Sequence, residues 1–304
     1  MQVRVLGSAA GGGVPQWNCA CRVCRAARDG SEPVRPRTQA SAAVSADGRS
    51  WFLLHASPDV RQQIEACPAL HPRATRDTPI AGVLLASGDL DACLGLLSLR
   101  ESQPLAVYGT AAVLRGFADG SLHRTLARVP GQVSWRPLAL GADQALAGPD
   151  GRPCGLSIAA FPVPGKVPLH RAGLQEPGPE DTVALRVRDR ARGQTLLWAP
   201  SVAGPAPVIE PLLREAELAL FDGTFWSADE LERAGAGGRR AEEMGHWPLG
   251  GPAGSLALLA RVPARSVLVH INNTNPILVE DSPERAAVAA CGVEVAEDGM
   301  EVWS

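Results

Sequence analysis

Apolar runs of strand length recur along the chain, and most are followed by a polar turn and then by apolar residues three or four apart. The clearest case lies at 80–101. Residues 80–86 are apolar, 87–92 form a short acidic turn, and leucines at helical spacing follow. That order predicts a strand, a turn and a helix. Residues 2–6 read as a first strand. Residues 40–45 and 50–55 flank Asp47-Gly48 as a hairpin, and Ser57-Pro58-Asp59-Val60 opens a helix with a cap and a first-turn proline. A strand at 104–108 precedes a helix at 110–117. The second half repeats the alternation. It has a strand at 155–161, a long Pro- and Gly-rich loop at 162–181, a hairpin of 182–187 with 194–198, a helix at 207–216 and a strand at 218–221. A helix near 254–261, a strand at 266–271, a helix capped by Ser282-Pro283-Glu284 and a terminal hairpin around Asp298-Gly299 complete it. Strands first and helices after them, twice over, predict an α/β fold of two sheets packed face to face with helices outside. No linker-like stretch divides the chain, so 1–304 reads as one domain.

Composition narrows the class. The chain has 304 residues, 45% of them hydrophobic, and a formal net charge of −3. That is enough for a sizeable core, and the slight acidity argues against nucleic acid as a partner. No apolar run reaches the ~18 residues of a membrane span, and the N-terminus lacks the apolar core of a signal peptide. Seven cysteines, three of them within six positions, fit a reduced, cytoplasmic setting and metal binding better than a disulfide framework.

The candidate chemistry sits in the loops. Cys19-Ala20-Cys21-Arg22-Val23-Cys24 has the spacing of a structural zinc site needing a fourth ligand from elsewhere, a knuckle at 17–25. Asn273 is favoured for that position because the turn after His270 is expected beside the N-terminal loop; water and Asp59 are alternatives. The loop Gly7-Ser8-Ala9-Ala10-Gly11-Gly12-Gly13 invites a dinucleotide reading, but no helix follows directly, as that motif requires. Asp89, Asp91, Asp222, His246 and His270 are expected at the C-terminal ends of strands, where open α/β layers bind ligands. Two histidines and a carboxylate with open positions suit ferrous iron and oxygen chemistry. Helix capping is the competing explanation for Asp89 and Asp91, and core packing for each histidine.

The segment from Gly7 through Cys19, with Arg37-Thr38-Gln39, Ala56-Ser57-Pro58-Asp59, Phe221-Asp222-Gly223-Thr224, Met244-Gly245-His246 and His270-Ile271-Asn272-Asn273-Thr274-Asn275-Pro276, resembles the PqqB family of pyrroloquinoline quinone (PQQ) biosynthesis proteins. The resemblance covers essentially the whole chain. It implies a metallo-β-lactamase-like fold, an αββα sandwich of two packed mixed sheets with helices outside, a structural Zn on the cysteine cluster, and an Fe(II)- and oxygen-dependent hydroxylase acting on the tyrosine of a Glu–Tyr cross-linked intermediate. Asp91 and His270 are then expected as metal ligands, with Asp89, Asp222 and His246 as further ligands or bases. Such a small, amino-acid-derived substrate carries several carboxylates, for which backbone N–H groups of Gly11, Gly12 and Gly13 and the cations Arg37 and Lys166 are the expected partners. Other PQQ biosynthesis proteins are expected partners, and pairing with a second copy as a homodimer stays open. One departure stands out. The family usually has a histidine directly after the second aspartate of the acidic turn, and here that position is Ala92. A non-catalytic carrier of PQQ or its intermediate is therefore the alternative expectation.

Overall fold

The computed structural model describes residues 1–118, 121–174 and 176–303; Gln175, within the long loop expected at 162–181, lies outside the described residues. Unbroken apolar runs are what strands buried on both faces require, and the structure stacks two seven-stranded sheets. In chain order the strands of the first half are β1 (Gln2–Gly7), β2 (Ser41–Ser45), β3 (Trp51–Leu54), β4 (Ile80–Leu84), β5 (Leu105–Thr110), β6 (Val133–Leu138) and β7 (Gln144–Ala147). Those of the second are β8 (Pro153–Pro162), β9 (Val183–Asp189), β10 (Thr195–Ala199), β11 (Leu218–Asp222), β12 (Arg265–Val269), β13 (Glu294–Val295) and β14 (Glu301–Trp303). One sheet runs β14-β1-β2-β3-β4-β5-β6 and the other β13-β12-β11-β10-β9-β8-β7. Each is mixed, with a parallel block at β3 to β6 and at β10 to β13.

The faces follow from the two-residue period of a strand. Val3, Phe52, Leu54 and Tyr108 of the first sheet meet Ile158, Leu185, Trp198 and Leu220 of the second in one central core. The opposite faces carry their own layers. Trp51, Leu53, Val83 and Val107 pack with Val60 and Val113 of the helices Val60–Glu65 and Ala111–Ala118. Leu197, Phe221 and Leu268 pack with Ile209 and Leu213 of helix Ile209–Glu215 and Val288 of helix Pro283–Ala290. Helix Ile209–Glu215 buries Ile209, Leu212 and Leu213, the i, i+3, i+4 stripe of an amphipathic helix. The αββα expectation holds.

Several local expectations change. β6 and β7 have no counterpart in the sequence reading; each is the edge strand of its sheet, and polar positions such as Ser134, Arg136 and Gln144 hide the apolar signal. The terminal hairpin is absent. β13 pairs with β12 in one sheet and β14 with β1 in the other, so the turn with Gly299 at φ +83° carries the chain between sheets. The cap at Ser57 moves as well: the helix begins at Val60, and Ser57 Oγ bonds Gln63 Oε1. After the acidic turn, the leucines form one α-turn, Leu90–Cys93, and then a 3₁₀ stretch, Leu94–Leu99. There the Gly95 N–H donates to Ala56 O, and a Cβ on Gly95 would fall 2.1 Å from Ser57 O. That close backbone approach draws the segment off the α-helical path.

Candidate active site and thiol knuckle

The N-terminal glycine loop and the turn after β12 are zipped together. Ala10 N donates to Ile271 O at 2.8 Å, and Ile271 N donates to Ser8 O at 2.9 Å. This contact brings Asn273 to the cysteines. Its Nδ2 lies 3.2 Å from Cys19 Sγ, 3.7 Å from Cys21 Sγ and 3.2 Å from Cys24 Sγ. The three sulfurs lie within 4.8 Å of one another. Burial pushes the Cys21 thiol up to about 11, whereas at Cys19 hydrogen bonds from Cys21, Cys24 and Asn273 outweigh burial and hold the thiol below its usual value. Three convergent thiols with an amide over them fit a tetrahedral zinc; a half-turn of the Asn273 amide presents Oδ1 in place of Nδ2. Asp59 is not in this group. Its Oδ2 accepts from Gln39 N and Nε2, bracing the loop instead.

The second cluster forms where β4, β11 and β12 end. Asp222 is the last residue of β11 and His270 follows β12. His246 differs from expectation: it sits in a loop after the 3₁₀ turn Glu242–Met244, not at a strand end. Asp222, His246 and His270 offer ligand atoms within 4.8 Å of one another. Asp222 is fully buried, and Oδ2 accepts from Val202 N and faces His246 Nδ1 at 2.8 Å. The imidazoles of His246 and His270 stack with centroids 5.0 Å apart. His270 Nε2 reaches Asp91 Oδ2 at 2.9 Å.

Thr224 holds this cluster together, and the sequence reading passed over its role. Its Oγ1 lies 2.7 Å from Asp222 Oδ1, 3.0 Å from His246 Nδ1 and 2.8 Å from His270 Nδ1, and it donates to His270 O at 2.7 Å. The signal was present in Asp222-Gly223-Thr224, but a threonine two residues past a strand end has no chemistry until the histidines arrive around it. His270 has φ +57°, the left-handed region that a branched ring rarely adopts. That conformation places both its Nδ1 and its carbonyl on the same hydroxyl.

Electrostatics pair Asp91 with His270. At Asp91, burial is outweighed by the His270 hydrogen bond and by the charges of His270, His55 and Lys166, so the carboxyl titrates well below the usual range. At His270 burial is likewise outweighed by Asp91, Asp222 and Asp89, and the imidazole is raised. Asp89 does not cap the helix Leu90–Cys93 with its side chain. Its carboxylate lies 3.3 Å from Ser87 Oγ and 3.3 Å from Lys166 Nζ. Gly11 backs onto Asp91, whose Oδ2 would be 3.4 Å from a Cβ there. Ala92 is buried, and its carbonyl accepts from Ala56 N at 2.7 Å.

Two substrate-binding expectations fail on geometry. Gly12 N donates to Gln39 Oε1 and Gly13 N to Ala10 O, so both N–H groups are engaged within the loop. Arg37 is 4% exposed, with Nη1 donating to Ser8 Oγ and to Ala296 O. It braces the N-terminal loop against the segment before Asp298, which in turn accepts from Ser8 and Thr38. Lys166 does reach the cluster.

Similarity to known proteins agrees with this architecture. A family model described as a β-lactamase superfamily domain matches residues 50–271. The chain is 44% identical over 304 residues to coenzyme PQQ synthesis protein B of Azotobacter vinelandii, covering 99% of both chains. It is 46% identical over 303 residues to the protein of that name from a Methylobacterium species, again covering 99% of both. The crystal structure of Zn(2+)-bound PqqB from Methylobacterium extorquens superposes with a TM-score of 0.93 at 44% identity, covering 100% of each chain. A diphosphatase of the PhnP family shares the fold at 18% identity and a TM-score of 0.65. With two stacked mixed sheets, a thiol knuckle and a histidine–carboxylate cluster where the strands end, the chain belongs to the PqqB family of PQQ biosynthesis proteins, within the β-lactamase superfamily.

Proposed function

We propose that this chain is an iron- and oxygen-dependent hydroxylase, acting on the tyrosine ring of a Glu–Tyr cross-linked intermediate of PQQ biosynthesis. The observation that carries this is the convergence of Asp222, His246 and His270, with Asp91 against His270. Two imidazoles and carboxylates form a donor set that suits ferrous iron. His246, His270, Asp91 and Asp222 would hold it, and bound iron would supply oxygen activation for ring hydroxylation. The chain's own residues order the site. Thr224 and Asp222 fix both imidazoles, and Asp91 Oδ2 and His270 Nε2 share a proton that they give up on ligating. Through Nδ1 that ring also faces Thr224 and Asp222, a hydrogen-bonded line from the cleft to a buried carboxylate. The cysteine knuckle is read as a structural zinc site, in keeping with a relative whose crystal structure is zinc-bound. A one-domain chain in a reducing cytoplasm fits a core shared by both sheets and seven free cysteines.

A carrier role is the second reading, and Ala92 is the observation that favours it. A methyl group beside Asp91 offers no nitrogen where the family resemblance places a ligand. Anaerobic titration with ferrous iron, followed by oxygen-uptake measurement with the cross-linked compound, tests both. Stoichiometric iron and uptake coupled to a hydroxylated product are expected. Binding of the compound with neither iron nor oxygen uptake would leave the carrier.

A further inference from the structure

Of 29 basic residues, Lys166 is the only lysine; the rest are arginines. Arginine makes the ion pairs elsewhere on the surface, such as Arg35 with Glu280, Arg186 with Glu215 and Arg265 with Glu294. The lysine stands at the acidic turn, its Nζ 3.3 Å from Asp89 Oδ1. The fold holds everything behind that ammonium. Thr182 Oγ1 donates to Lys166 O at 3.3 Å, and a Cβ on the neighbouring Gly165 would fall 2.3 Å from the same Oγ1. The lysine stem lies over Gly245, where a Cβ would meet its Cγ, Cδ and Cε at 3.3, 3.4 and 3.5 Å. Gly245 precedes His246, so the stem rests on the turn that delivers a cluster histidine. Among the described residues the ammonium at the end of that stem has one ion-pair contact, at 3.3 Å, to a partly exposed carboxylate.

The choice of lysine has a physical reason. A guanidinium fork grips a carboxylate at two points in one plane, whereas an ammonium is a compact charge with three donors on a flexible stem. The first suits a permanent pair and the second an exchange of partners. A free α-amino acid carries an ammonium and a carboxylate on one carbon, the mirror of the Lys166–Asp89 pair. We propose that Lys166 and Asp89 are specificity-determining residues that read a free amino-acid head group. Lys166 turns from Asp89 to the ligand's carboxylate, and Asp89 takes the ligand's ammonium. No charge is stranded in the exchange, which would otherwise carry a heavy penalty in a partly buried site. The cleft would therefore favour an excised amino acid over the same residue inside a peptide, whose amine and carboxyl are amides. This deepens the reading above and rests on it for the identity of the compound.

Binding of the Glu–Tyr cross-linked compound, free or N-acetylated and C-amidated at its tyrosine end, measured calorimetrically, is the test. The parent should prefer the free form by about tenfold or more. Lys166→Gln should lose that preference, and Lys166→Arg should not restore it. As a check that needs no mutation, acetylation of this single ε-amine by sulfo-N-hydroxysuccinimidyl acetate, kept in large excess over all amines including those of the compound, should slow when the free compound is present and not when the blocked one is. A preference unchanged in Lys166→Gln, or equal acetylation rates with both compounds, overturns the proposal. Oxygen uptake on the same samples separates the two readings. Uptake without discrimination sinks the head-group proposal alone, and discrimination without uptake sinks the hydroxylase alone. No binding of either compound by the parent sinks both.

Discussion

At the scale of single residues, Thr224 is where the cluster is most open to test. Thr224→Val keeps the shape and removes the hydroxyl, leaving His270 Nδ1 and the His270 carbonyl without their partner, while Asp222 Oδ1 keeps Thr224 N and His246 Nδ1 keeps Asp222 Oδ2. The expected cost is about 1–3 kcal/mol in urea unfolding, with little change for Thr224→Ser. An equal loss in both variants would mean that the methyl, not the hydroxyl, matters. Ala92 gives the opposite kind of test. Ala92→His adds an imidazole beside Asp91 and should tighten anaerobic ferrous iron binding. Because Ala92 is buried, overpacking should lower stability by about 1–3 kcal/mol. Iron affinity in Ala92→His no tighter than the parent's would show that position 92 supplies no missing donor.

At the scale of elements, the knuckle couples a short helix to the turn after β12. Helix Arg22–Asp29 has no side-chain cap at its N-terminus, and its own Val23, Cys24 and Ala26 form its buried face. Its anchorage is the sulfur cluster and Asn273. Zinc bound there should be one per chain. Its removal by a chelator should raise hydrogen exchange over residues 16–28 and 271–275 while β1 to β6 stay protected. Asn273→Ala should weaken zinc retention about 10- to 100-fold if the amide is the fourth ligand or its orienting partner. Zinc held equally well by Asn273→Ala would assign the fourth position to water.

At the scale of the whole molecule, two buried groups set opposing pH dependences. His55 is buried beneath the acidic turn with Nε2 accepting from Ala86 N at 3.3 Å, and burial lowers it to about 3. Its contribution to stability is complete above its unfolded value of 6.5 and is lost as pH falls toward 3. Glu230 is raised to about 7 by burial, which outweighs its bonds to Thr274 and Trp226. Its contribution is complete below 4.5 and is lost as pH rises through 7, about 3 kcal/mol in all. Between pH 4.5 and 6.5 the two slopes oppose each other. Glu230→Gln should therefore raise stability at pH 8 by about 2–3 kcal/mol and leave a chain whose stability climbs with pH across that window. Denaturant midpoints at pH 5, 6.5 and 8 check this, and a Glu230→Gln profile parallel to the parent's would refute it.

Periodicity carried the two-sheet layering, because a strand buried on both faces is written as a short unbroken apolar run, as at 80–86 and 218–221, but it left the edge strands β6 and β7 unread. The thiol knuckle was legible for a similar reason: its three cysteines are neighbours in sequence, so their convergence is local. The Asp91–His270 contact was not, since 179 positions separate the two and only the stacking of β4, β11 and β12 brings them together. Separation in sequence also hid two of the three partner residues of the Thr224 hydroxyl, His246 and His270, which lie 22 and 46 positions away. It also hid the engagement of Gly12, Gly13 and Arg37 inside the N-terminal loop, which composition had made look like a cradle for anions. Residue types announce which chemistry a chain can hold, but hydrogen bonds are satisfied only in three dimensions, and tertiary packing decided which of these groups still face the cleft.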